Sequence, residues 1–418
     1  MQMVLTRHTR PNNLDATPDV LFWLSLLGYV GYILLSRWNP DIRYARYVFP
    51  ILVLILATAR RALSPAGVRL FDPALRSFGF LFLIIALTSG VRMVLSGVYY
   101  SRYFEEVLFM GAPLVAASTL LTFRRTTESK AYFTIFLVLV ADYILEVGVA
   151  PIASALAGPT VFAADVLDSV SPTESLRAFS FGLFAIYFLG RRRYLQFLLA
   201  VAFALLAGKR IVAIALFSAL VAAAAGRPDT GRKKAAIVFA AASVNLVIAL
   251  ALLNLDQWGI SNWIADMTGR SADAIMMGRG HLFALVGDRV GEVPVWGIGL
   301  GRISDILKNE SAWLTNPHSD VLKHFIEFGP ALFVVWIGVL FWQTSSRSSL
   351  ALAVFLNSLF LTDNVSIYFD VMFLFYLVFS SLQSPSACMA PVSATHGLAP
   401  LRLPLSSREG RELVDVHP

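Results

Sequence analysis

Hydrophobic positions in this chain come in long unbroken runs, without the alternating or one-sided patterns of soluble folds. The runs cover 20–36, 44–59, 78–95, 104–123, 131–150, 174–190, 194–207, 211–225, 235–254, 321–342, 350–361 and 366–382. Tight polar turns separate them, with no strand-like alternation. Hydrocarbon satisfies the backbone only in helices or closed barrels, and continuous apolar runs select helices. The pattern predicts an all-α polytopic membrane protein of about 12 transmembrane helices, several shorter than the roughly 20 residues of an ordinary span. One long stretch, 255–320, breaks the pattern by mixing tryptophans with Arg, Asp and Gly, and is expected to form a large loop before the last three spans. A single transmembrane domain is thus predicted over 1–383. The tail, 384–418, is rich in Pro, Ser, Ala and Arg, and is expected to be disordered.

Composition reinforces this class. Hydrophobic residues make up 57% and charged residues 15%, against about a quarter charged in soluble domains. The net charge of +7 therefore belongs to loops, and no soluble basic face is left on which a nucleic acid could lie. Cys388 is the single cysteine, which excludes intramolecular disulfides and cysteine-based metal sites. The polar N-terminus carries Arg7 and Arg10, and no cleavage motif follows the first apolar run, so Trp23 to Ser36 reads as a retained span. Counting loop cations with the N-terminus inside gives about 20 basic residues in the cytoplasm against about 12 outside. Both termini are accordingly expected in the cytoplasm, with the 255–320 loop on the outer face.

The candidate chemistry gathers at that face. From Arg279 to Val290, Leu282, Phe283 and Val286 recur at helical spacing, predicting a short helix that starts at Arg279 and turns His281 and Asp288 to another face. Gly297, Gly299 and Gly301 alternate, as backbone approaching an anion would, or as an ordinary turn would. His318 follows Pro317 and precedes an apolar run that Ser319 or Asp320 could cap; an imidazole there is a candidate general base. His324 and Glu327 lie deeper, and with Lys323 they read as structural. Tyr194 to Ala225 is interrupted only by Gly208-Lys209-Arg210. Basic clusters on both sides predict two short helices meeting at Lys209-Arg210 near the outer face, where the cations either snorkel or line a cavity. No metal-binding or nucleotide-binding motif occurs.

These motifs resemble those of the O-antigen ligase and O-antigen polymerase superfamily. The likeness rests on Gly278-Arg279, the run Pro294-Val-Trp-Gly-Ile-Gly-Leu-Gly301, Asn316-Pro-His-Ser-Asp-Val-Leu322 and Ile326-Glu-Phe-Gly329. Ser319 stands where the family often has Asn, and Phe283 where it has Trp. The resemblance implies a multi-pass enzyme of the bacterial inner membrane with a large periplasmic loop. Such an enzyme transfers or polymerises an undecaprenyl-diphosphate-linked oligosaccharide in surface or exopolysaccharide biosynthesis, without metal or other cofactor. It further implies that Arg279 and Arg210 bind the donor diphosphate, with Arg279 and His318 catalytic; Lys209, beside Arg210, and Gly299, among the alternating glycines, are expected to bind the same group. The acceptor would be another glycan or the lipid A core, and polysaccharide export machinery a possible partner. The competing expectation is a polytopic transporter or flippase of glycan or another solute, which would place ionisable groups near the bilayer midplane. A structural scaffold for an export complex is a third.

Overall fold

The computed structural model describes residues 17–39, 47–63, 71–122, 128–157, 173–271, 273, 276, 279–310 and 316–383. The tail 384–418, Trp313, Gly278 and the cationic turn around Arg124 and Arg125 lie outside them. The described residues are helical, with no strand among them. In chain order they form α1 (Thr17–Trp38), α2 (Val48–Leu63), α3 (Arg76–Ser96), α4 (Tyr103–Leu121), α5 (Glu128–Val147), α6 (Val149–Ala157), α7 (Arg177–Gly190), α8 (Tyr194–Leu206), α9 (Arg210–Ala225) and α10 (Gly231–Leu253). Three short helices, α11 (Ile260–Thr268), α12 (Arg279–Val290) and α13 (Arg302–Glu310), occupy the polar stretch. The chain then returns through α14 (Asp320–Trp342), α15 (Arg347–Thr362) and α16 (Phe369–Gln383).

Among the described residues four helices, α3 with its leading turn, α4, α10 and α14, are long and apolar enough to cross a membrane. The pair α5 and α6 makes a fifth if its 96° bend is counted within one span. Seven shorter apolar helices join them among the described residues, and each predicted run overlaps a helix, with 131–150 divided between α5 and α6. Exposure sorts them. α7 and α16 are buried on nearly every side, whereas α3 presents Phe80, Leu87, Val91 and Leu95 outward and α10 presents Phe239 and Val247. Helices that stay apolar on an exposed face are built for lipid, and those apolar all round for a bundle centre.

Helix ends sort into two sets. At one end Asp72 receives a hydrogen bond from Ser380, Arg191 donates to the Ser381 carbonyl and Arg227 to the Ser345 carbonyl. The basic turns 191–193 and 227–234 therefore share an end with the C-terminus of α16. The opposite end holds the starts of α4, α7, α14 and α16 and the turn between α8 and α9. There Lys323 of α14 meets Glu106 of α4 at 2.6 Å, and Arg177 of α7 meets Asp370 of α16 at 3.0 Å.

α14 fixes the loop against that second end. Ser319 caps it, accepting from the Leu322 N–H. Pro330 then interrupts it: proline has no N–H for the Ile326 carbonyl, and Gly329 turns to φ 79°. The loop supplies what the break removes. Ile298 donates to the Ile326 carbonyl and Gly299 to the Glu327 carbonyl, both at 3.0 Å, while the displaced Ala331 N–H finds the Val295 carbonyl. A Cβ at Gly329 would collide with Gly297 and Trp296 backbone, so the crossing requires glycine there.

Candidate functional site

The loop helix α12 starts at Arg279 and buries Leu282, Phe283 and Val286 while His281 and Asp288 stay exposed. Its first residue thereby reaches the end of α15, where the Arg279 guanidinium donates to the Thr362 carbonyl. The next residue, Asp363, is the junction of the site. One of its carboxylate oxygens accepts from the Asn364 N–H and from the Tyr368 hydroxyl, each at 2.8 Å. The other lies 3.5 Å from the Lys209 ammonium. Its carbonyl accepts from the Asp320 N–H, which ties α14 to α15 beside His318.

Lys209 arrives from the turn between α8 and α9. The long apolar segment does divide into two short helices there, and the turn is held by hydrogen bonds from Tyr143 to the Leu206 carbonyl and from the Ser175 N–H to the Ala207 carbonyl. The Lys209 ammonium is shared between Asp363 and Glu174, the latter at 3.2 Å, and lies over the Phe179 ring. Arg210 follows, half-buried in the first turn of α9.

His318 adopts a left-handed backbone, φ 52°. Its side chain is exposed, yet crowded enough that lost hydration holds the imidazole below its usual range. The Arg279 and Lys209 cations push the same way, and Asp363 opposes them. Arg279, Lys209 and His318 therefore form one electrostatic group. The alternating glycines are otherwise engaged: Gly297 donates to the Pro294 carbonyl, Gly299 to the Glu327 carbonyl and Gly301 to the Glu327 carboxylate. Their spacing answers the break in α14.

Sequence spacing alone did not select Asp363, Glu106 or Arg177. Asp363-Asn364 is visible as the polar break between two apolar runs, and Arg177 as a cation at the mouth of another. Glu106 gives no such signal, because its partner Lys323 is brought to it only by the packing of α4 and α14. Arg177 lies between Asp142 at 2.7 Å and Asp370 at 3.0 Å, on the floor of a cavity of about 390 Å³ whose wall includes Tyr368. Among the described residues no group of three or more His, Cys, Asp or Glu side chains could hold a metal ion.

The apolar helices and this ion-pair-rich end define an α-helical, membrane-embedded protein with a polar site at one end of its bundle. No known protein family, curated protein or solved structure matches the chain.

Proposed function

We propose that the protein is a glycosyltransferase of the O-antigen ligase and polymerase type in a bacterial inner membrane. The observation that carries this reading is that Lys209 and Arg279 meet at Asp363 and Thr362, away from the basic turns, with His318 within reach of their charge. In this reading the four long helices, the bent pair and the seven shorter ones each cross once, both termini are cytoplasmic and the 255–320 loop is periplasmic.

The substrate is an undecaprenyl-diphosphate-linked glycan. The acceptor hydroxyl oxygen attacks the anomeric carbon, the bond from that carbon to the diphosphate oxygen breaks, and prenyl diphosphate leaves with the electron pair. Negative charge grows on the leaving group. Arg279 and Lys209 face it in a partly dehydrated setting, where fixed cations count for most, and Arg210 adds a third from the adjoining turn. The hydroxyl proton passes to His318, which its surroundings keep neutral near pH 7. The acceptor is a second repeat unit or the lipid A core, with export machinery receiving the product.

A transporter would draw on the buried charges of α4 and α14. Glu327, the deepest of these in α14, lies seven residues in from Asp320, or about 10 Å at 1.5 Å per residue. The middle of a hydrocarbon core lies about 15 Å from either face. One Glu327 carboxylate oxygen also accepts from the Gly301 and Ile303 N–H groups, which ties this side chain to the seating of the loop and favours a structural role over a carrier site.

Purified protein in detergent, given lipid-linked glycan and acceptor, is expected to join them, and transport cannot account for product where no compartments exist. Intact donor after incubation with active-site-competent protein overturns the proposal. In a deletion strain, single attached repeats on a gel identify a polymerase, whereas full-length polymer left on the carrier identifies a ligase.

A further inference from the structure

Beside the Asp363 cluster lies the cavity on the Arg177 floor, formed between the ends of α1, α5, α7 and α16. Its volume, about 390 Å³, falls within the roughly 300–1,000 Å³ of small-ligand sites. Asp142, Glu146 and Asp370 line it with Arg177, so carboxylates outnumber the guanidinium three to one. Phosphates and uronates are therefore repelled. A bare metal ion is equally unsuited, since these carboxylates do not form a metal-holding group.

The remaining lining has a definite chemistry. Ser36 and Ser175 bring hydroxyls to its wall and the half-buried Tyr368 brings an aromatic ring. Glu146 accepts from the Ser175 hydroxyl at 2.8 Å, and Arg177 is gripped from two helices. Fixed acceptors and donors side by side match the adjacent hydroxyls of a sugar ring, and aromatic faces match its apolar C–H face. Tyr368 links this cavity to the reacting groups, since its hydroxyl donates to Asp363, which also holds Lys209.

We propose that this cavity binds the saccharide acceptor, taking neutral or amine-bearing sugars and rejecting uronate- and phosphate-bearing ones, next to the Asp363 cluster. The choice of acceptor over donor rests on the proposed glycosyl transfer; the binding of sugar does not.

Saturation-transfer NMR on the full-length protein in nanodiscs tests it, with glucosamine disaccharide, cellobiose, digalacturonate and inorganic pyrophosphate as probes. The first two are expected to give signals that digalacturonate does not, and pyrophosphate is expected not to displace them. Ser36→Trp fills the cavity from the rim of α1 and should abolish both signals. Glu146→Gln, at an exposed position, removes one charge and should weaken glucosamine disaccharide about tenfold while sparing cellobiose. Arg279→Ala should leave sugar binding unchanged. Absence of sugar signals from correctly folded protein, persistence of signals in Ser36→Trp, or displacement by pyrophosphate each overturns the inference. Sugar binding that follows this pattern in a protein unable to transfer glycan keeps the saccharide site and removes only its assignment as acceptor.

Discussion

His318 joins a backbone requirement to a chemical one. Left-handed residues other than glycine are uncommon, and His, Asn and Asp tolerate that region best. The residue follows Pro317 and turns the chain so that Ser319 can cap α14. His318→Asn should therefore keep the fold while removing the base, lowering kcat by roughly 10²–10⁴-fold; near-normal turnover in that variant sinks the base assignment. The pH profile offers a second check. Transfer needs the neutral imidazole, so the rate should rise with pH through a pKa below the usual value of about 6.5. Arg279 is one of the cations that lower it. Arg279→Gln should let the pKa rise, moving the acid limb of kcat/KM to higher pH, in addition to a loss of about 10²–10³-fold from weaker leaving-group stabilisation. A limb that stays put, or moves to lower pH, dissociates Arg279 from His318.

At the scale of elements, α14 carries both the break that seats the loop and the buried Lys323–Glu106 ion pair, each side chain about 1% exposed. Removing one partner strands a charge, at a cost of up to about 3–5 kcal/mol, whereas replacing both by apolar groups of similar size is close to neutral. Glu106→Gln should thus lower the melting temperature in detergent sharply, and Glu106→Leu with Lys323→Met should recover part of it, the remainder being lost because Glu327 and Asp320 also face the Lys323 ammonium. If the double variant melts no higher than the single, the pair is not the source of the loss. This pair also marks where sequence reading stops. α12 was legible because Leu282, Phe283 and Val286 repeat at helical spacing, and the α8–α9 turn because basic clusters on both sides required the chain to return. The work of Gly297 to Gly301 was not legible, since their partners on α14 are set by how a proline break meets a distant loop. Arg279, Lys209 and His318 could each be named from the chain; Asp363, around which they gather, gains its meaning only when α9, α12, α14 and α15 come together.

For the whole molecule, the two sets of helix ends turn the count of loop charges into a geometric statement. The turns bearing Arg191 and Arg227 bond to carbonyls at the ends of α16 and α14, while Lys209, Arg177 and Lys323 are engaged by carboxylates at the opposite end. An excess of Lys and Arg marks cytoplasmic loops, with acidic neighbours counting for little, and the basic turns carry that excess at one end of the bundle. The basic turns should therefore face the cytoplasm and the site the periplasm. The single cysteine makes this testable, because Cys388→Ser gives a cysteine-free background. On that background, Asn262→Cys in α11 and Asp229→Cys before α10 place exposed thiols at the two ends. In intact spheroplasts a membrane-impermeant maleimide should label the first, and reach the second only after permeabilisation. The reverse pattern would put Arg279 and His318 in the cytoplasm, on the wrong side for a periplasmic lipid-linked donor, and the glycosyltransferase reading would fall with it.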